Sequence, residues 1–151
     1  MSLTLTASTT ETELIKQYLA DGWSTYEDDT GFIGLAGPFF YRAEGNSLAF
    51  RFPTLPKHHN RNGVLQGGAL MTFTDRVCGA TSRHVTEAPR TTTMQLNMNF
   101  IDAVKIGETV EATATVVRAT KQIIFMSVTL TVELRIVAMA TGVWKKILSA
   151  G

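Results

Sequence analysis

The spacing of apolar residues along this chain changes three times, and each change marks an element. Leu14, Ile15, Tyr18 and Leu19 recur at helical spacing. Ahead of them, Thr10-Glu11-Thr12-Glu13 has the form of a capping box, and Asp21-Gly22 follows as a stop, so a helix is predicted over about residues 11–20, packed on the core by its apolar face. From Gly31 to Phe52 the pattern becomes β-like, punctuated by Gly31, Gly34, Gly37 and Pro38. Glu44-Gly45-Asn46 reads as a turn between two strands. Leu48, Phe50 and Phe52 alternate with Ala49 and Arg51 as in a strand buried on one face, and Pro53 and Pro56 end it. The segment Lys57–Asn62 reads as a polar, exposed loop.

Helical spacing returns from about Gly67 to Val85, the longest such run in the chain. At 100° per residue, Leu70, Phe73, Val77, Ala80 and His84 gather on one face, predicted to be the core face. Asp75 points nearly opposite, among Met71, Cys78, Gly79 and Ser82, while Arg76 and Arg83 lie on a third, more polar side. A second face that is neither charged nor fully polar predicts contact with a ligand or another chain.

After Glu87-Ala88-Pro89 the period is two almost to the end. Met94, Leu96, Met98 and Phe100 alternate with Gln95, Asn97 and Asn99. Val110, Ala112, Ala114 and Val116 form the next apolar face, and Ile124, Met126, Val128, Leu130, Val132 and Leu134 another. Ile136 to Ile147 carries Trp144. Strands this closely spaced are expected to join as antiparallel neighbours. One arrangement satisfies every apolar face: an α+β domain in which a curved antiparallel sheet wraps one long helix.

Composition narrows the function. The 151 residues are enough for one domain with a sizeable core, and 44% hydrophobic against 18% charged is a globular balance. A net charge of +1 argues against nucleic acid or a membrane surface as partner. Cys78 is the one cysteine, which excludes an intrachain disulfide and fits a cytoplasmic, reducing environment. The N-terminus has no basic, apolar leader pattern, and no run approaches the roughly 20 apolar residues of a membrane span. His58-His59 has no evident third ligand, so no metal is expected.

Asp75 is the residue that needs explaining. An ionised carboxylate in an apolar helix is expensive unless paired or used. It reads as a catalytic group, against the alternative of a structural acid paired with an arginine. Gly67 and Gly68 open the same helix, where backbone N–H groups are free and the dipole favours negative charge. Glycine there also lets a carbonyl approach the backbone closely. Asn60 and Gln66 could add side-chain donors. Cys78, one turn from Asp75, reads as packing rather than as a nucleophile.

The motif Asn60-x-x-Gly63-x-x-Gln66-Gly67-Gly68, with Asp75 two turns into the helix, resembles the acyl-CoA thioesterase signature of the hot-dog fold, in its phenylacetate-pathway (PaaI-like) branch. Asn97-Met98-Asn99-Phe100, Ile106-Gly107-Glu108 and Val137–Gly142 resemble the family's sheet, and the likeness spans roughly residues 30–148 of a single domain, with 1–25 as an N-terminal helical extension. The resemblance implies hydrolysis of an acyl-CoA thioester, with Asp75 as base or nucleophile and no cofactor beyond the coenzyme A of the substrate. It implies a dimer, and often a dimer of dimers. Thr93 falls where the family often has a hydroxyl that positions water. Gly63 and Met71 fall near the expected substrate, and Arg118 and Lys121 are candidates to meet coenzyme A phosphates, with Arg83 and Arg90 read the same way. The departure is Gln66, where the branch usually has histidine: an amide donates a hydrogen bond but cannot titrate.

Helix geometry adds a constraint. Asp75 lies eight residues beyond Gly67, roughly 12 Å along a helix rising about 1.5 Å per residue. One carbonyl cannot touch both, so a shared site needs two copies of the chain, Asp75 of one facing the glycines of the other. The other readings are a non-catalytic acyl-CoA binding protein, which Gln66 favours, and an enoyl-CoA hydratase or dehydratase, which the missing histidine disfavours.

Overall fold

The structure, a computed structural model, describes residues 10–26 and 30–148. Helix α1 (Glu11–Ala20) starts on the expected capping box, the Thr10 side chain accepting from the Glu13 amide and Glu13 reaching back to Thr10. Its buried Leu14 and Tyr18 join Trp23, Phe40 and Leu55 in a small separate cluster, while Leu19 is half exposed. Seven strands then form one antiparallel sheet: β1 (Ser24–Thr25), β2 (Phe40–Glu44), β3 (Ser47–Pro53), β4 (Arg90–Phe100), β5 (Thr109–Ala119), β6 (Ile123–Val132) and β7 (Arg135–Ile147). Their order is β1-β2-β3-β5-β6-β7-β4. A five-residue helix α2 (Phe32–Ala36) precedes β2, and the long helix α3 (Gly67–Thr86) packs against β3 through β7. The predicted sheet around one long helix is the architecture observed.

The core lies between α3 and the sheet. Leu70, Phe73 and Val77 of the helix meet Phe50 and Phe52 of β3, Val110 of β5, alternate residues Ile124 to Val132 of β6, and Val137 and Trp144 of β7. The strict alternation in β6 is what buries that entire row on one face.

Five expectations change. Residues 32–36 are helical rather than β-like: Gly31 and Gly37 bracket them, and Ile33 and Ala36, three apart, turn together onto the core. The loop at 57–62 is not wholly exposed, because a 3-10 turn (Pro56–His58) drives the His58 ring inside. His84 is exposed and off the core face, its Nε2 3.2 Å from the Asn46 carbonyl in the β2–β3 turn. Leu134 sits fully exposed in the β6–β7 turn after Glu133 at φ 54°. Finally, β4 and β5 are not neighbours. The chain crosses from one side of the sheet to the other between them, leaving β4 as an eleven-residue edge strand beside β7.

Candidate active site

Helix α3 opens at Gln66, whose carbonyl accepts from the Ala69 and Leu70 amides. The Gln66 Oε1 accepts from the Gly67 N–H at 3.0 Å. The first-turn donor left without a partner among the described residues is therefore the Gly68 N–H. Gly68 is exposed, and a Cβ there would meet nothing within 4 Å, so the surface at this residue is uncrowded. A Cβ at Gly67 would lie 3.2 Å from the Phe100 ring. Glycine is what lets that aromatic close over the start of the helix.

Asn60 and Gly67 line one cavity of about 320 Å³ with Leu65, Leu70 and the segment Phe100–Val104. Asn60 organises the preceding loop: its Oδ1 accepts from the amides of Asn62 and Val64, and its carbonyl from that of Gly63, whose φ of 79° makes the turn. Its side-chain NH2 is the part left to meet a ligand. Arg135 braces the far wall, donating from Nη1 to Asp102 Oδ2 (2.9 Å) and the Ala103 carbonyl (2.7 Å) and from Nη2 to both Glu108 oxygens. The Arg135 bond to Asp102, with the Ala103 N–H donating to Asp102 Oδ1, holds that carboxyl below the usual carboxylate range.

Asp75 is two turns further along α3, half-buried, and accepts a 2.6 Å hydrogen bond from Thr93 Oγ1. Among the described residues it forms no ion pair, and Thr93 is its one hydrogen-bond partner. A bulge in β4 makes the contact. Thr93 pairs with Trp144 and Gln95 with Val143, so Met94 is an inserted residue. One inserted residue reverses the alternation of side chains. Thr91 and Thr93 therefore face α3 on one side of the bulge, and Leu96, Met98 and Phe100 face it on the other. Met94, expected to share a face with those three, is 59% exposed. The bulge has its own requirement: a Cβ at Gly142 of β7 would lie 2.5 Å from the Gln95 carbonyl oxygen.

Part of the helix face expected to meet a partner is covered within the chain. Cys78, Gly79 and Ser82 are buried, with Ser82 Oγ 3.2 Å from Thr91 Oγ1. Burial, reinforced by the charge of Asp75, pushes the Cys78 thiol up to about 12, so the sulfur is held as an inert thiol in the core. Met71 and Asp75 remain half-exposed on that side. Arg118 and Lys121 lie at the β5–β6 turn, and neither lines the cavities near α3. The row Thr93–Trp144–Ile124–Ala119 puts β5 three strands from Thr93, roughly 14 Å at about 4.8 Å per strand.

One chain thus holds the expected residues as two groups. Asn60, Gln66, Gly67 and Gly68 stand at the start of α3, and Asp75 with Thr93 about two turns away. Sequence reasoning missed Phe100 over Gly67 and the dependence of the Met94 bulge on Gly142. An aromatic and a glycine distant in sequence carry no local signal of either.

Comparison with known proteins bears on this arrangement. A curated Pseudomonas aeruginosa protein, PA0474, provisionally named an esterase, is 28% identical over 126 residues, which are 82% of this chain and 94% of that one. The PaaI protein of the E. coli phenylacetic acid degradation operon superposes with a TM-score of 0.71 at 16% identity, covering 80% of this chain and 87% of that one. The smu.793 protein of Streptococcus mutans, solved bound to acetyl CoA, superposes with a TM-score of 0.67 at 23% identity, covering 75% and 91%. The family model described as Thioesterase superfamily matches residues 62–138, from the loop before α3 through most of the sheet. With that match over half its length, and with the sheet and central helix its neighbours share, this chain belongs to the thioesterase superfamily and has the hot-dog fold.

Proposed function

We propose that the protein hydrolyses an acyl-CoA thioester in a two-fold dimer. The observation that carries this reading is the Asp75–Thr93 pair: a half-buried carboxylate held by a hydroxyl and, among the described residues, by no cation. Such a carboxylate keeps its remaining lone pairs for a water or a carbonyl carbon. Asp75 serves as general base or as nucleophile. Thr93 orients the carboxylate and can accept from the attacking water. The carbonyl is polarised by the Gly68 N–H and by the Gln66 side chain. Because Gln66 Oε1 is held by the Gly67 N–H, the amide presents its NH2 outward as a donor. This answers the loss of the family's histidine: donation survives without titration. The acetyl-CoA-bound structural neighbour supports an acyl-CoA as ligand.

The dimer follows from the two separated groups and from β4. An edge strand eleven residues long exposes a row of backbone donors and acceptors that proteins seldom leave open. Antiparallel pairing of β4 with its copy about a two-fold axis would bring the two α3 helices side by side and opposed. Thr93 marks the level of Asp75 and Phe100 the level of Gly67. For Asp75 to meet the partner's Gly67 and Gly68, Thr93 must lie at the level of Phe100 of the partner subunit. That condition puts the axis near Leu96 and Asn97.

The test is thiol release across short, long and aromatic acyl-CoAs with the native chain and Asp75→Asn. Turnover that disappears in the variant while the dimer persists supports the reading, and unchanged turnover overturns it. The capped Gly67 amide favours a second reading, an acyl-CoA binding protein without turnover. Tight binding of acyl-CoA by the native chain with no thiol release would select it.

A further inference from the structure

The contact between Thr91 and Ser82 has no part in the chemistry proposed above, yet it lies on the same stretch of β4 as Thr93. Ser82 is fully buried on α3, two turns beyond Asp75 and on the same face of the helix. Its hydroxyl donates to the Gly79 carbonyl at 2.8 Å, which uses its one proton. In the 3.2 Å contact between the two hydroxyls Thr91 is therefore the donor and Ser82 the acceptor. Strand β4 thus sends two hydroxyls onto one face of α3, Thr91 to Ser82 and Thr93 to Asp75. Both come from the segment ahead of the inserted residue Met94.

That segment has a competing arrangement. Beyond the bulge, Leu96, Met98 and Phe100 face α3. An unbroken alternation would add Met94 and Thr92 to that row and turn Thr93 and Thr91 away from the helix. The regular strand would cover Met94, a large apolar side chain that is 59% exposed, and would restore the pairing that a bulge disrupts. Both gains pull against the observed register. Gly142 leaves room for the Gln95 carbonyl and so permits the bulge, but a missing side chain exerts no pull. The pull toward the observed register comes from the two hydroxyl links. Asp75 and Thr93 both have exposed surface, where water competes for their bond, whereas Ser82 anchors Thr91 in the dry interior. We propose that Ser82 and Thr91 are positioning residues: they lock β4 in the bulged register and so keep the Thr93 hydroxyl on the Asp75 carboxylate. Neither touches substrate. Their effect on turnover rests on Asp75 and Thr93 marking the reaction centre, whereas the register can be read without turnover.

The test pairs kinetics with NMR of protein labelled at its methionine methyls. Met139, an exposed methionine on β7, serves as the internal control. In Ser82→Ala and in Thr91→Val the Met94 methyl resonance is expected to move as that side chain turns toward α3, while the Met139 resonance stays in place. In both variants kcat should fall about three- to tenfold, with KM changed by less than about twofold. Thr91→Ser keeps the hydroxyl and should behave as the native chain. Met94→Ser added to Ser82→Ala removes the apolar gain of the competing register and should restore kcat. Ser82→Ala added to Thr93→Val should cost nothing further, because it acts through the hydroxyl already removed. Native kcat with an unmoved Met94 resonance in Ser82→Ala and Thr91→Val overturns the lock. So does a loss of kcat that Met94→Ser leaves unrepaired and that adds to the loss in Thr93→Val. If the native chain releases no thiol from any acyl-CoA, the hydrolytic reading fails by itself, and the Met94 resonance alone decides the lock.

Discussion

Thr93 Oγ1 donates to Asp75 Oδ1 across 2.6 Å, tying the edge strand β4 to the middle of helix α3 over 18 positions of sequence. It is the point where the sheet's geometry reaches the candidate chemistry. Removing the carboxylate and removing the hydroxyl should therefore act differently. Asp75→Asn is expected to lower kcat by about 10²- to 10⁴-fold, the contribution of a general base. Thr93→Val removes one hydrogen bond to a charged group and is expected to lower kcat by about tenfold or somewhat more. Steady-state kinetics on one good acyl-CoA, with melting curves for both variants, decides. Equal losses would mean the two residues act as one unit.

Gly142 should be essential without touching substrate. Its Cβ would meet the Gln95 carbonyl oxygen and the Trp144 ring, each at 2.5 Å, and neither the backbone nor the buried indole can move away cheaply. Gly142→Ala is expected to destabilise by about 1–3 kcal/mol or more. Because the strain falls on the Met94 bulge, activity measured well below the melting temperature should fall as well. Denaturant titration combined with kinetics would test both halves.

Gly68 offers the reverse case. A methyl there meets nothing within 4 Å, and alanine is the better helix former. Gly68→Ala should keep or slightly raise the melting temperature while hindering approach to its amide, so that kcat/KM falls. An unchanged kcat/KM would remove Gly68 from the list of donors.

His58 gives a prediction in pH. Its Nδ1 accepts from the Leu55 amide at 2.8 Å, which leaves Nε2 to donate to the Gly37 carbonyl at 3.0 Å, so the buried ring is neutral. Burial, with a smaller push from Lys57, holds its pKa below the ordinary 6.5, against the opposing hydrogen bond to Gly37. The unfolded chain therefore binds a proton here more readily than the folded one. The stabilisation is full above about pH 6.5 and is lost as pH falls from there through the lower folded value. Melting temperature should drop over that window in the native chain, and His58→Gln should flatten this part of the profile. A native profile that is flat from pH 7 to 5 would contradict the assignment.

The proposed axis near Leu96 and Asn97 can be checked by cross-linking. Asn97 lies on the face of β4 away from α3, and opposite residues of an antiparallel pair bring their Cβ atoms within about 5 Å. Asn97→Cys should form a covalent dimer on mild oxidation. Thr113→Cys, on β5 far from that edge, should not. The buried Cys78 should stay silent in both. Absence of the Asn97→Cys cross-link in a chain that is dimeric by sedimentation would move the interface elsewhere.

Much of this protein was legible in its residues alone. The spacing of Leu70, Phe73 and Val77 and the alternation from Ile124 to Val132 belong to short stretches of chain, and helical or β periodicity is a local property. The capping box at Thr10 and the acid in an apolar helix are local as well, which is why Asp75, Gly67 and Gly68 stood out. The placement of β4 beside β7, the reversal at Met94, the burial of His58 and the gathering of Arg76, Arg83 and Arg90 around one cleft were settled only in three dimensions. Each depends on backbone or side chains far apart in sequence that touch only when the sheet has closed round the helix. Gln66 belongs to both accounts: its identity set it apart from the family's usual histidine, but only the fold turned its oxygen onto the Gly67 amide.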